Sequence, residues 1–449
     1  MSSAAAVVRA TWERPLAAPA SIPDHADVVI IGGGIVGISA AWFLARAGID
    51  VIVCEKGHVA GEQSGRNWGW VRQQGRDLRE LPMAMAANRI WQRLATDVGE
   101  DVGFRQGGCL FVARRESELA EFERWAAAAR EYGLDTEILE RGELARHVRG
   151  AGIDWPGAMY TASDGRAEPH KATPAIARAL ERLGGTVLTG CAVRGLDLEG
   201  GRVAGVVTEH GRIRSSSVLC AGGAWTSLFC RSLGIELPQL RVRGTVVRTA
   251  PGPDLLEGNL FDEKLGIRRR EDGGYTIAPG ELLDHAITPA SFRWLLKYLP
   301  ALQKDWRLLR LSVGREFLDD WRTPSHWPLD EPSPFEAERI IDPAPSARAI
   351  ARLRRSLAEV FPALADIEFI ESWAGVIEAT PDIVPVIDRT GTPGFFLATG
   401  FSGHGFGLGP GAGKAVAGLI TGDDSGMDLH ELRLERFFDG SPIRPMASI

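Results

Sequence analysis

Three glycines, Gly32, Gly34 and Gly37, and an acid at Glu55 form the first chemical pattern in the chain, inside "DVVIIGGGIVGISAAWFLARAGIDVIVCEKG". A turn spaced G-x-G-x-x-G brings backbone up to a pyrophosphate. Gly32 makes the tight turn, Gly34 lets the phosphates approach, and Gly37 lets the following helix pack on the strand. The N-terminus of that helix then faces the phosphates. Glu55 falls where a carboxylate accepts hydrogen bonds from an adenosine ribose. An acid there favours a free 2′-hydroxyl, which disfavours NADP and leaves NAD or FAD.

Two further stretches are chemically unusual. "GFSGHGFGLGP" (400–410) places five glycines in eleven residues around His404. Such backbone is either a floppy loop or a segment laid flat against something large. "GEQSGRNWGWVRQQGRD" (61–77) is a polar, glycine-bearing loop soon after Glu55, with Trp68 and Trp70 alternating about Gly69. That loop is unexpected in an NAD domain and suits a flavin, along which the chain would run toward the ring. The two tryptophans either wall a site or pack a core.

The elements around these patterns alternate between strand and helix, the mark of an α/β fold. Val28 to Ile31 reads as a buried parallel strand, and Ile35, Ile38, Trp42 and Ala45 repeat at helical spacing up to a stop at Gly48. A second strand runs from Val51 to Val53 and ends at Glu55. Thr173-Pro174 is expected to cap and start a helix ending near Gly184. "GTVLTGCAV", turns at Gly200-Gly201 and His210-Gly211, and "SVLCAGGAW" read as a strand, a short meander and a last strand. "GFFLATGFSGHGFGLGPGAGKAVAGLITG" repeats the strand, glycine loop and helix order, with Pro410 expected in the first helical turn and Val416, Leu419 and Ile420 on the buried face. "GIRRREDGGYTIAPG" alternates like two strands about Gly273-Gly274. Residues 293–321 read as helical and amphipathic, and the proline-rich 322–346 as an ordered surface loop.

The chain has 449 residues, 45% of them hydrophobic and 24% charged, as in ordinary globular proteins. A net charge of −7 argues against nucleic acid. No apolar stretch approaches the length of a membrane span. Residues 1–25 read as a flexible lead-in without the apolar core of a signal peptide, which places the protein in the cytoplasm. The five cysteines are scattered, and buried reduced thiols are expected, with no metal site.

With these motifs in order, the chain resembles the D-amino-acid-oxidase-type family of flavoproteins from about Asp27 to Gly422. The resemblance rests on the fingerprint through Glu55-Lys56, on "LCAGGAW", and on "TPDIVPVID" followed by "GFSGHGFGLGP". It implies a Rossmann-like FAD domain of the glutathione-reductase type, assembled from residues 26–98, 160–235 and 346–430. A mixed-sheet substrate domain (99–159 and 236–345) and a C-terminal tail (431–449) complete the expected organisation. The resemblance further implies FAD contacts from Gly32, Gly34, Ile35, Val36, Gly37, Glu55, Lys56, Ser64, Asn67, Trp68, Val193, Ala221, Gly222, Trp225 and Gly375. The 403–407 loop (Gly403, His404, Gly405, Phe406, Gly407) would lie against the isoalloxazine, with a helix N-terminus at its pyrimidine edge.

The sequence departs from the family at its substrate anchors. Sarcosine-oxidase-like members carry a flavin-linking cysteine where Gly375 stands, so non-covalent FAD is expected, with no cysteine nearby. Glycine-oxidase-like members carry a carboxylate-gripping arginine at the position of Ile377, which Glu378 follows here. Sarcosine-oxidase-like members use a lysine at the position of Gly407. Arg72 aligns with an arginine beside the flavin and becomes the candidate cation, with Trp70, Ile377, Glu378 and His404 around the substrate. The expected reaction is FAD-dependent oxidation of the C–N bond of an amino acid or N-alkyl amine, with dioxygen or an electron-transfer partner as acceptor. An FAD-binding subunit of a larger electron-transfer complex, a hydroxy-acid oxidase and an NAD-dependent dehydrogenase are the alternatives.

Overall fold

The computed structural model describes residues 21–280, 283–305 and 309–445. Most of the expected lead-in, and the last residues of the expected tail, lie outside them. The chain folds around two sheets. The first has six strands and receives β1 (Val28–Ile31), β2 (Val51–Glu55), β3 (Thr186–Thr189) and β4 (Ser217–Cys220) from the N-terminal half. The second, ten-stranded, includes β5 (Leu240–Thr249) and β6 (Phe369–Ala379), antiparallel along their whole length with Gly244 opposite Gly375. The chain then returns to the first sheet with β7 (Val386–Arg389) and β8 (Phe395–Thr399). The first sheet is ordered β7-β8-β4-β1-β2-β3 and is parallel except at β7.

Helix α1 (Ile35–Arg46) follows β1, and α2 (Leu81–Val98), α3 (Pro169–Arg182), α4 (Ala347–Val360) and α5 (Gly405–Thr421) complete the frame. The apolar run of β1 and the all-round burial of α1 put both in the middle of one hydrophobic core. Helix α5 crosses α1 and α2 through a glycine stripe. A Cβ on Gly409 would lie 2.7 Å from Ile35, one on Gly411 2.7 Å from the Met83 carbonyl, and one on Gly413 2.5 Å from Ser39.

Several boundaries differ from those expected. Helix α3 starts at Pro169, not at Thr173, and Pro174 lies inside it. Helix α5 starts at Gly405, so Pro410 is interior and the second half of the glycine run is helix, not loop. In α3 the first helical position expected of Pro174 is taken by Pro169, and both helices carry an interior proline at the loss of one backbone hydrogen bond. Residues 346–379 were expected with the cofactor domain, yet α4 packs in the core of the second sheet and β6 is one of its strands. Residues from the expected surface loop pack on the first sheet instead: Phe335 joins its core, and Arg339 grips Glu209 at 2.6 Å. The expected tail is tied down as far as Phe437, with Arg436 buried against Asp382.

Candidate active site

The end of the β1–α1 turn opens one end of a cavity of about 360 Å³. Gly32 there has φ +111°, and a Cβ on it would sit 2.5 Å from the Ala221 carbonyl oxygen. A Cβ on Gly37 would meet the Gly32 carbonyl oxygen at 2.2 Å, so this glycine serves helix-on-strand packing and does not line the cavity. Gly34 does face it, with only Ser64 Oγ within reach of an added Cβ. Ser64 Oγ accepts from the Ile35 amide at 2.9 Å. The first turn of α1 carries no acid, and only its first amide, Ile35, is taken by Ser64, which leaves the helix dipole for an anion.

Glu55 closes this end. Its two oxygens accept from the amides of Gly33 (2.7 Å) and Gly57 (2.6 Å), which fix the carboxylate and leave lone pairs toward the cavity. Burial pushes its pKa up, and the two amides pull it back. A diphosphate with a ribose fits these groups: a glycine cradle, a helix terminus without an acid and an oriented acceptor. Glu55→Ala removes a charge-assisted acceptor worth roughly 1.5–3 kcal/mol. Titration of apoprotein with FAD should show at least about a tenfold weaker dissociation constant. An unchanged value would mean the carboxylate does not touch the cofactor. Lys56 is less available than expected. Its ammonium pairs with Glu62 at 3.1 Å, donates to the carbonyls of Glu338 and Arg339, and stacks on Trp225.

Asn67, Trp68, Val193, Ala221, Gly222, Trp225 and Gly375 line the walls between the two ends, together with Ile35 and Val36. Two cysteines also line the cavity, contrary to expectation. Cys54 lies one residue before the end of β2 and Cys220 ends β4, and these strands flank β1. Spacing from Gly375 in sequence gave no hint of this. Their thiols are poor nucleophiles: the Cys191 hydrogen bond and burial raise Cys54, and burial holds Cys220 up to about 11.

At the other end stands the N-terminus of α5, with His404 at the N-cap and Gly403 at φ +86° before it. Gly405 and Phe406 line the cavity. Gly407 does not, and this corrects its expected role. It lies against the strand Trp70–Val71, where an added Cβ would come within 3.1 Å of the Trp70 carbonyl oxygen, and its own carbonyl accepts from Trp91. Ile377 bridges Gly244 and Gly403. Trp68 and Trp70 pack edge to face, 5.4 Å apart, and both border the cavity, so they combine wall and core. Glu378 is buried in the cavity wall beside Gln63 and Phe401, residues of the cofactor-side loops, and burial raises its pKa to about 7.

Arg72 lines the cavity as expected. It donates to the Gln74 carbonyl and lies over Phe111, 5.1 Å from the ring centre. Sequence reading missed Arg76, which also lines the cavity, and Glu80, which is fully buried against His404 Nδ1 at 3.0 Å. The spacing "RQQGRDLRE" was the available signal. Asp164 holds this loop by accepting from the amides of Gln73 (2.7 Å) and Gln74 (3.1 Å). Burial drives the His404 pKa well below its usual value and raises Glu80 to about 8, so the pair shares one proton at neutral pH, held on the carboxyl.

The folded protein therefore binds this proton more tightly than the unfolded chain does. Its stabilising contribution is complete below the ordinary glutamate pKa and is lost as pH rises through about 8. Glu80→Gln keeps the shape and the donor but has no proton to lose. Scanning calorimetry at about pH 6 and 9 should show a smaller drop in Tm for the variant than for the parent. Equal drops would mean that Glu80 is already ionised in the folded state.

Among the described residues there is no cluster able to hold a metal ion, and no helix long and apolar enough to cross a membrane. The DAO family model, described as FAD dependent oxidoreductase, matches residues 27–419. The chain is similar to sarcosine oxidase subunit beta from Rhodobacter capsulatus, 23% identical over 96% of this chain and 92% of that one. It is 26% identical to 4-methylaminobutanoate oxidase (formaldehyde-forming) from Paenarthrobacter nicotinovorans over 93% of its length, but spans only 46% of that protein. Among solved structures it is similar to L-amino acid deaminase from Proteus myxofaciens in complex with anthranilate. The TM-score is 0.91 and the identity 31%, over 94% of this chain and 96% of that one.

Proposed function

The chain belongs to the DAO family of FAD-dependent oxidoreductases, and on that premise we propose that it oxidises the C–N bond of a small amino acid. FAD is the cofactor, and Gly375 offers no side chain for a covalent link. When bound, FAD supplies the two-electron acceptor for a hydride equivalent from the carbon bearing the nitrogen. The substrate amine loses a proton, and the resulting imine hydrolyses to a carbonyl compound and ammonia or an amine.

One observation carries the reading: a single cavity joins the Glu55 end, built for the ribose and phosphates, to an end bordered by Arg72 and Arg76. At that end the chain orients and excludes. The free first turn of α5 stabilises negative charge that accumulates beside it. Trp68, Trp70 and Ile377 wall off water, and His404, kept neutral by burial against Glu80, adds no charge at this end. The reading places the enzyme in the cytoplasm, using dioxygen or an electron-transfer partner.

The test is anaerobic bleaching of the bound flavin by a panel of primary amino acids, N-methyl amino acids, simple amines and hydroxy acids. Amino acids should bleach it. Bleaching by hydroxy acids alone, or by none of the nitrogen compounds, would overturn the proposal. A second reading, the FAD-binding member of a larger electron-transfer assembly, is favoured by exposed apolar side chains gathered between Phe292 and Trp321, including Leu296 and Val313. Reduced protein that dioxygen fails to reoxidise, but a soluble quinone does, would support it.

A further inference from the structure

Arg76 is 3% exposed and lines the cavity, and its Nε and Nη1 are buried without a hydrogen-bond partner. A guanidinium taken out of water with donors unmet is costly, and folded proteins normally place a counter-charge against it. Three other buried arginines have theirs: Arg268 is clamped by Glu168, Arg436 by Asp382 and Arg66 by Asp342, while Arg166, whose Nη1 also lacks a partner, does not line the cavity. The acids closest in effect to Arg76 are already engaged. Glu80 is bound to His404, and Asp164 to the amides of Gln73 and Gln74. Arg72, the cation expected from sequence, is directed elsewhere, to the Gln74 carbonyl and the Phe111 ring.

We propose that Arg76, rather than Arg72, is the residue that receives the substrate's carboxylate at the α5 end of the cavity. The proposal rests on the C–N oxidation reading and narrows it: the substrate carries a free carboxylate, as an α-amino acid or N-alkyl amino acid does, and a plain amine is a poor substrate. The planar fork of arginine suits a carboxylate, and in a water-poor pocket that contact fixes which carbon faces the flavin. Burial, followed by the like charge of Arg72, lowers the Arg76 pKa to about 9, which agrees with a cation awaiting an anion. Arg72 then acts as a positioning residue that shapes the loop.

Two measurements on FAD-loaded protein test this. The first is titration with benzoate and with benzamide, read by the change in flavin absorbance. The second is anaerobic bleaching by an amino acid and by the matching amine without its carboxylate. In Arg76→Met, benzoate binding and the amino-acid Michaelis constant should each worsen at least about a hundredfold. Benzamide and the matching amine should change little, and Arg76→Lys should recover part of the loss. Arg72→Met should affect both members of each pair alike. If Arg76→Met loses both members equally, or sheds FAD, Arg76 serves the cofactor and the proposal falls. If it spares benzoate, the proposal falls as well. If wild-type flavin is bleached by no nitrogen compound, the C–N reading fails, while the benzoate pair still decides whether Arg76 binds a carboxylate.

Discussion

Arg268→Met should give a protein that unfolds about 3–5 kcal/mol more readily than the parent. Arg268 is 1% exposed and grips both oxygens of Glu168 at 2.8 and 2.9 Å, while its Nε donates to the Trp68 carbonyl. Burial pushes the Glu168 pKa up, but Arg268 overrides that and brings it down to about 2. Removing the cation leaves a carboxylate buried with far less compensation. The pair also backs the loop that carries Trp68 and Trp70. Gly69, at φ +79°, sits so close that a Cβ on it would lie 2.8 Å from the Arg268 guanidinium carbon. Urea unfolding should show a lower midpoint, and flavin should dissociate more easily. The double variant Arg268→Met with Glu168→Gln should recover part of the loss, because no charge is then stranded. A midpoint equal to the parent's would mean that the pair contributes nothing net.

The lowered pKa of Glu168 sets an acid limit. Its contribution is complete above the ordinary glutamate value and disappears as pH falls through about 2, opposite in sense to that of Glu80.

The second large effect is expected at Gly32. Replacement by alanine puts a Cβ 2.5 Å from a carbonyl oxygen, in a backbone conformation at φ +111° that side chains avoid. The clash partner, Ala221, is backbone of the neighbouring strand end and hydrogen-bonds to Ile31, so it cannot swing aside. Strain of this kind costs of order 1–3 kcal/mol, with the clash in addition. Turn and phosphate cradle should both distort. Reconstitution of apoprotein should show FAD affinity reduced at least about a hundredfold. Affinity within threefold or so of the parent's would mean that the cradle tolerates the shift.

The cofactor end was legible because its parts are close in sequence. Gly32, Gly34, Gly37 and Glu55 lie within one βαβ unit whose spacing follows from the geometry of that unit. The substrate end was legible only in part. Arg72 could be singled out, but what occupies its guanidinium depends on Phe111, and the His404–Glu80 pair joins residues 324 positions apart. Arg76 is defined by missing partners, which no local pattern encodes. The start of α5 was misplaced because "GFGLGP" has poor helix propensity. Packing of Gly409, Gly411 and Gly413 on α1 and α2 overrides that weakness. Gly407 was expected to keep clear of a flavin, and it keeps clear of another strand instead.

The order of strands in the first sheet has a consequence for biosynthesis. β1 leaves the ribosome before the rest of its sheet, yet β4, beside it, is encoded some 190 residues later, and β8 and α5 later still. Until α5 emerges, the faces of α1 and α2 that its glycine stripe covers have no partner, and the wall around His404 does not exist. Contacts so distant in sequence form late. A nascent or prematurely terminated chain thus exposes apolar surface and offers FAD half a site, so the species that retains the cofactor is the one whose synthesis has passed α5. Colour, in this protein, reports that α5 is in place.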